Sequence, residues 1–328
     1  MPVYDGCVSF ALCCGGSVHV AYCTSKLEEL VKQIILTHGR LRFTANVKGP
    51  EDGPVVLLLH GFPDNPGTFT KQMQALAEAG YRAIAPTMRG YEPSSQPGDD
   101  DYRIGAMARD VLAWVDELGG EKVHLVGHDW GAAVASVAGA LDPERFHSLT
   151  TMAVPHMPRM HIGVRHVPSQ VFRVWYMGFF QLRGIADWLI QCGDWAFIKW
   201  LCGRWSPRFD TSGVRWSSTR DTLETSGVKQ AALAYYRQNV GIDVMLRLTA
   251  SEGLALSTVP VRTLAMGGEQ DGCMDIRLYE HVFLEGDFPA GVEVVRIPDA
   301  GHFMHVDAPD AVNEVLLEWV QREPVDAS

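Results

Sequence analysis

The run Gly127-His128-Asp129-Trp130-Gly131 sets a carboxylate midway between two glycines. A nucleophile flanked at two positions on either side by small residues fits a sharp turn from a strand into a helix, which lifts the central side chain off a sheet. A hydroxyl at that point must lose a proton before it attacks. Asp129 is already ionised near neutral pH and can displace directly at a saturated carbon. The plainer role for an Asp there is N-cap of the following helix. What favours the nucleophile is its company: a strand-like run ahead of it, a small-residue helical run from Ala132 to Ala140 behind it, and an upstream strand that ends in His60-Gly61-Phe62-Pro63-Asp64, where backbone donors would be needed.

The elements that must position these residues follow an alternating pattern. Gln33 to His38 and Leu41 to Val47, separated by Gly39 and Arg40, read as a hairpin. Pro54 to Leu59 is continuously apolar, as a central strand buried on both faces should be. Further strands are expected at Tyr81 to Ala85, Lys122 to Val126, Leu149 to Val154, Val259 to Met266 and Val292 to Ile297, with amphipathic helices over 69–79, 105–118 and 308–319. Strands alternating with helices predict an α/β fold with a mostly parallel sheet. From Pro155 to about residue 250 the chain turns rich in Trp, Phe, Tyr and Arg, and reads as an inserted helical unit.

Of 328 residues, 47% are hydrophobic and 20% charged, ordinary proportions for a globular chain. The 28 basic residues against 39 acidic ones give a net charge of −11, which repels a phosphate backbone and disfavours nucleic acid as a partner. Seven cysteines, four of them crowded at Cys7, Cys13, Cys14 and Cys23, make an odd and uneven set that points to a reducing compartment, hence a cytoplasmic protein. Residues 6 to 23 carry no formal charge, but Gly15, Gly16, Ser17 and His19 interrupt the run and no basic segment precedes it. No membrane partner is therefore expected.

The pieces His60-Gly61-Phe62-Pro63, Arg89-Gly90-Tyr91, Gly127-His128-Asp129-Trp130-Gly131 and Gly301-His302-Phe303 together resemble the α/β-hydrolases of the epoxide hydrolase family, which are related to haloalkane dehalogenases. The resemblance spans about residues 35 to 325. It implies a core made of 31–155 and 251–328 and a helical cap of 156–250, and it leaves 1–30 as an N-terminal extension of unknown role.

It also implies roles. Asp129 would be the nucleophile and His302 the base, with Asp271 orienting the imidazole; Glu269 and Asp275 are the alternatives for that acid. The Trp175-Tyr176 and Tyr235-Tyr236 segments resemble the family's two cap tyrosines, so Tyr176 and Tyr236 would hold and protonate the epoxide oxygen, with Tyr235 the neighbouring choice. Backbone N–H groups of Phe62 and Trp130 would form the oxyanion hole, one following the nucleophile and one from the early loop. Phe62, Trp130, Trp175 and Phe179 would line the substrate pocket.

The activity implied is hydrolysis of a small-molecule epoxide to a vicinal diol, by a monomer or homodimer, without metal or organic cofactor. Two other readings share parts of the sequence. A dehalogenase would use the same Asp129, although a halide leaving group wants N–H donors and not acids, and Phe62 stands where many haloalkane dehalogenases have an amide side chain. A catalytically silent binding protein would have no need of a nucleophile and base together.

Overall fold

The computed structural model describes residues 32–241 and 257–322. The expected extension 1–30, with its four cysteines, and the end of the segment 156–250 lie outside those residues.

Eight strands form one sheet in the spatial order β1-β2-β4-β3-β5-β6-β7-β8. They are β1 (Lys32–His38), β2 (Leu41–Lys48), β3 (Val55–Leu59), β4 (Arg82–Pro86), β5 (Val123–His128), β6 (Phe146–Met152), β7 (Thr263–Gly268) and β8 (Val292–Ile297). The opening hairpin is antiparallel, β2 runs antiparallel to β4, and every pairing from β4 onward is parallel. Gly39 closes the hairpin with a φ of 62°, a left-handed conformation that glycine takes without steric cost.

The layered α/β architecture follows from which faces are buried. In β3, Leu57 and Leu59 point into one core with Val111, Trp114 and Val134, while Val56 and Leu58 point into the other with Met73, Leu316 and Trp319. Successive side chains of a strand alternate faces, so a strand covered on both sides must be apolar throughout. Helices α1 (Thr70–Glu78) and α13 (Pro309–Gln321) pack on one side, and α2 (Ile104–Glu117) and α3 (Trp130–Leu141) on the other.

Between β6 and β7 the described chain continues as α4 (Met160–His166), α5 (Gln170–Arg173), α6 (Trp175–Phe180), α7 (Ile185–Leu189), α8 (Cys192–Trp205), α9 (Val214–Glu224) and α10 (Val228–Asn239). Later come α11 (Tyr279–Val282) and α12 (Met304–Asp307). Two strands differ most from the sequence expectation. β6 starts earlier, at Phe146, and stops at Met152 because Ala153 turns out of the ladder with a φ of 64°. β7 starts later, at Thr263, beyond Pro260, which has no N–H to give a ladder.

Candidate active site

Asp129 lies between β5 and α3 with φ 51° and ψ −121°, a conformation rare for a residue with a side chain. The turn is possible because of its glycines. A Cβ on Gly131 would lie 2.0 Å from Leu59 O, and one on Gly127 would lie 2.3 Å from Gly131 O. The Asp129 carboxylate makes no capping bond to α3; instead Oδ1 accepts from Phe62 N–H at 2.7 Å. The capping role is thereby removed. No hydrogen bond of the Trp130 N–H accompanies it among the described residues.

His302 follows β8 and is fully buried. Its Nδ1 meets Asp271 Oδ2 at 2.9 Å, and its Nε2 stands 3.4 Å from Asp129 Oδ2 without a hydrogen-bond partner. Asp271 follows β7, and its other oxygen accepts from the N–H groups of Cys273 and Met274. The alternatives for that acid lie elsewhere: Glu269 is exposed, and Asp275 pairs with Arg173 and Arg277. The two loops are tied to the end of α8, because the Trp205 carbonyl accepts from both Gly272 N–H and His302 N–H.

Charges explain the titration of this group. Burial by itself would lower His302, but the Asp271 and Asp129 carboxylates outweigh it and push the imidazole up to about 10. Burial would likewise raise Asp129, yet His302 holds its carboxyl below the usual carboxylate range. The other histidines near the site behave oppositely. His60 accepts from Met88 N–H, and His128 meets the His302 carbonyl; burial pushes each down to about 4, so both are neutral structural groups.

A cavity of about 170 Å³ opens beside Asp129, lined by Trp130, Val137, Val154, Met177 and Tyr236 among others. Its polar side chains bond to partners outside it: Asn239 donates to the Tyr102 and Tyr235 carbonyls, Ser136 donates to Ala132 O, and His156 Nε2 meets the Ser257 carbonyl. What remains is an apolar chamber with a carboxylate and a phenol. The Tyr236 ring stands edge-on to Phe62 and to Trp130, with centroids 5.3 and 5.1 Å away. Burial raises its hydroxyl well above the usual tyrosine range, which keeps it protonated. Tyr235, its neighbour, donates to Arg89 O and faces away.

Tyr176 is also buried and protonated, 5.8 Å from Tyr236 between ring centres, with its hydroxyl 3.3 Å from Cys273 Sγ. Phe62, Trp175 and Phe179 depart from the expected lining: the Phe62 ring is buried against Phe180, Trp205 and Tyr236 and does not line this cavity. Trp175, 45% exposed, packs with Phe179, Phe197 and Trp200 in an outer aromatic cluster and does not line this cavity. The reason is helical geometry: Trp175 and Phe179, four residues apart on α6, share one face, and that face packs on Phe197 and Trp200. Met177, Val137 and Val154 were not foreseen, since single apolar residues on separate elements carry no motif. Nor was Cys273, whose only signal is its spacing two residues after Asp271.

Asp271, Cys273 and His302 are the one group among the described residues whose ligand atoms lie close enough together, within 4.8 Å, to hold a metal ion. They are poorly suited to one. Asp271 is already spent on two N–H donors and the imidazole, and burial holds the Cys273 thiol well above the usual range, hence protonated.

Residues 54–309 match the family model of the alpha/beta hydrolase fold. Epoxide hydrolase A of Mycobacterium tuberculosis is 36% identical over 325 residues, covering 88% of this chain and 97% of that protein. An AB hydrolase superfamily protein of Bacillus subtilis is 30% identical over 89% of this chain and 98% of its own length. The crystal structure of an epoxide hydrolase from Vigna radiata superposes with a TM-score of 0.73 at 25% identity, over 90% of this chain and 99% of that one. No helix among the described residues is long and apolar enough to cross a membrane.

Proposed function

The chain belongs to the α/β-hydrolase fold family, among its epoxide hydrolases, and on that premise we propose that it adds water to a small apolar epoxide through an alkyl ester on Asp129. The observation that carries the reading is the alignment of Asp129, His302 and Asp271, with Nε2 3.4 Å from one carboxylate and Nδ1 2.9 Å from the other. That is an ionised carboxylate facing an apolar chamber, with a base behind it.

In the first step an Asp129 oxygen forms a bond to an epoxide carbon and the carbon–oxygen bond of the ring breaks. The ring oxygen keeps the electron pair and takes a proton from Tyr236, with Tyr176 as second donor. Esterification removes the Asp129 charge that helped to raise His302, so burial then favours the neutral imidazole. The proton lost by His302 restores the phenol, and His302 becomes free to act as base.

In the second step His302 takes a proton from water, whose oxygen adds to the Asp129 carbonyl. The oxyanion is met by the Phe62 N–H, joined by the Trp130 N–H; losing one such donor costs about 3 kcal/mol. Collapse releases the diol and regenerates Asp129. The helices of 156–250 serve as the cap that carries both tyrosines.

Walls without free polar groups favour a substrate that is apolar beyond its epoxide ring. The test is diol formation from styrene oxide and from a 3-phenylglycidate anion of similar size. Styrene oxide should be turned over at least tenfold faster in kcat/KM, and Asp129→Ala should abolish diol formation. Bromide release from 1-bromohexane without diol from any epoxide would overturn this reading in favour of a dehalogenase, as a halide leaves without a proton.

A further inference from the structure

We propose that Cys273 is a positioning residue for ring opening: its thiol donates to the Tyr176 hydroxyl and so turns the Tyr176 proton toward the epoxide oxygen. This rests on the reading above, in which Tyr176 is the second acid.

Cys273 Sγ and Tyr176 Oη are 3.3 Å apart, and both residues are buried. Either atom of such a pair can donate. A phenol that donates into sulfur has no proton left for substrate, whereas one that accepts from the thiol keeps its own proton free. Burial and the adjacent Asp271 carboxylate keep the thiol protonated, so it has a proton to give. Around the Tyr176 ring stand Trp205, Phe180 and Tyr236, with centroids 5.0, 5.5 and 5.8 Å away. Among the described residues the hydroxyl is thus held by one polar contact inside an aromatic shell.

The sequence position of Cys273 couples this contact to the rest of the site. The Cys273 and Met274 N–H groups donate to Asp271 Oδ1 at 2.6 and 2.9 Å. One turn therefore aims the carboxylate at His302 and the thiol at Tyr176. When the epoxide carbon–oxygen bond breaks and its oxygen takes the Tyr236 proton, the Tyr176 hydroxyl donates to that same oxygen while the thiol holds it in this orientation.

Single-turnover measurements with styrene oxide separate ester formation from ester breakdown, for the native protein and for Cys273→Ser, Cys273→Ala, Tyr176→Phe and the double variant Tyr176→Phe/Cys273→Ala. Loss of a hydrogen bond of this kind is expected to slow ester formation about tenfold in Cys273→Ala. Breakdown should be unchanged, and Cys273→Ser should recover most of the rate because a hydroxyl donates in the same place. In the Tyr176→Phe background Cys273→Ala should add nothing. Cys273→Val, which fills the space without a donor, should match Cys273→Ala and covers the case in which the smaller side chain fails to fold. A native rate of ester formation in Cys273→Ala beside a slow Tyr176→Phe would overturn the role of Cys273 alone. A native rate in Tyr176→Phe would overturn Tyr176 as an acid, and equal slowing of both steps by Cys273→Ala would mean packing only.

Discussion

In the proposed cycle His302 is the residue on which the chemistry turns, because the same imidazole is a cation beside an ionised Asp129 and a base beside its ester. Its charged form is held by Asp271 and Asp129, and this has a consequence for stability. A folded value raised to about 10 means that the stabilisation is complete below the ordinary value of about 6.5 and is lost as pH rises toward 10. The thermal midpoint should therefore fall between pH 7 and pH 10, and fall less in His302→Gln; equal slopes for the two proteins would contradict the assignment. Asp129 and His302 stand out in the sequence because each sits in a short motif with glycine nearby, whereas Asp271 came from the family resemblance, which chose it over Glu269 and Asp275. Trp175 was misplaced and Cys273 passed over for a shared reason. Which way a side chain points on a short helix or turn depends on its packing, and no motif records it.

At the scale of elements, the turn between β5 and α3 is where sequence and structure are most tightly bound. The approach of α3 to β3 leaves no room for a side chain at Gly131, where a Cβ would overlap the Leu59 carbonyl at 2.0 Å. Gly131→Ala should cost about 2–3 kcal/mol by overpacking, read by chemical denaturation, and should lower activity by moving Asp129. A variant as stable as the native protein would show that the turn tolerates what the geometry forbids. The strands were legible from their apolar runs, and their ends less so. Ala153 leaves the ladder through its backbone angle, and Pro260 delays β7, both effects weaker than hydrophobic pattern in the sequence. Helix α9 holds the His60–Asp64 loop from above, through Arg215 to Asp64 and Asn65 to Ser218 and Thr222. Those contacts join residues some 150 positions apart and had no local signal.

Across the whole molecule, Phe62, Asp129, Asp271 and His302 come from loops at the carboxyl ends of β3, β5, β7 and β8, the edge where open α/β sheets build their sites, and the two tyrosines come from α6 and α10. The sequence order of these loops was readable, and with it the architecture. The chamber was not, since its walls draw on α3, the segment after β6, α6 and α10, which only folding brings together. The catalytic cycle joins all these parts, and its central claim is a covalent bond between Asp129 and substrate. The most direct test is the intact mass of His302→Gln after incubation with styrene oxide. An ester that forms and cannot be hydrolysed should add the mass of one styrene oxide, about 120 Da, and peptide mapping should locate it on Asp129. A protein that keeps its native mass while Asp129 is intact and diol still forms would mean that water attacks the epoxide directly, and the ester mechanism would be wrong.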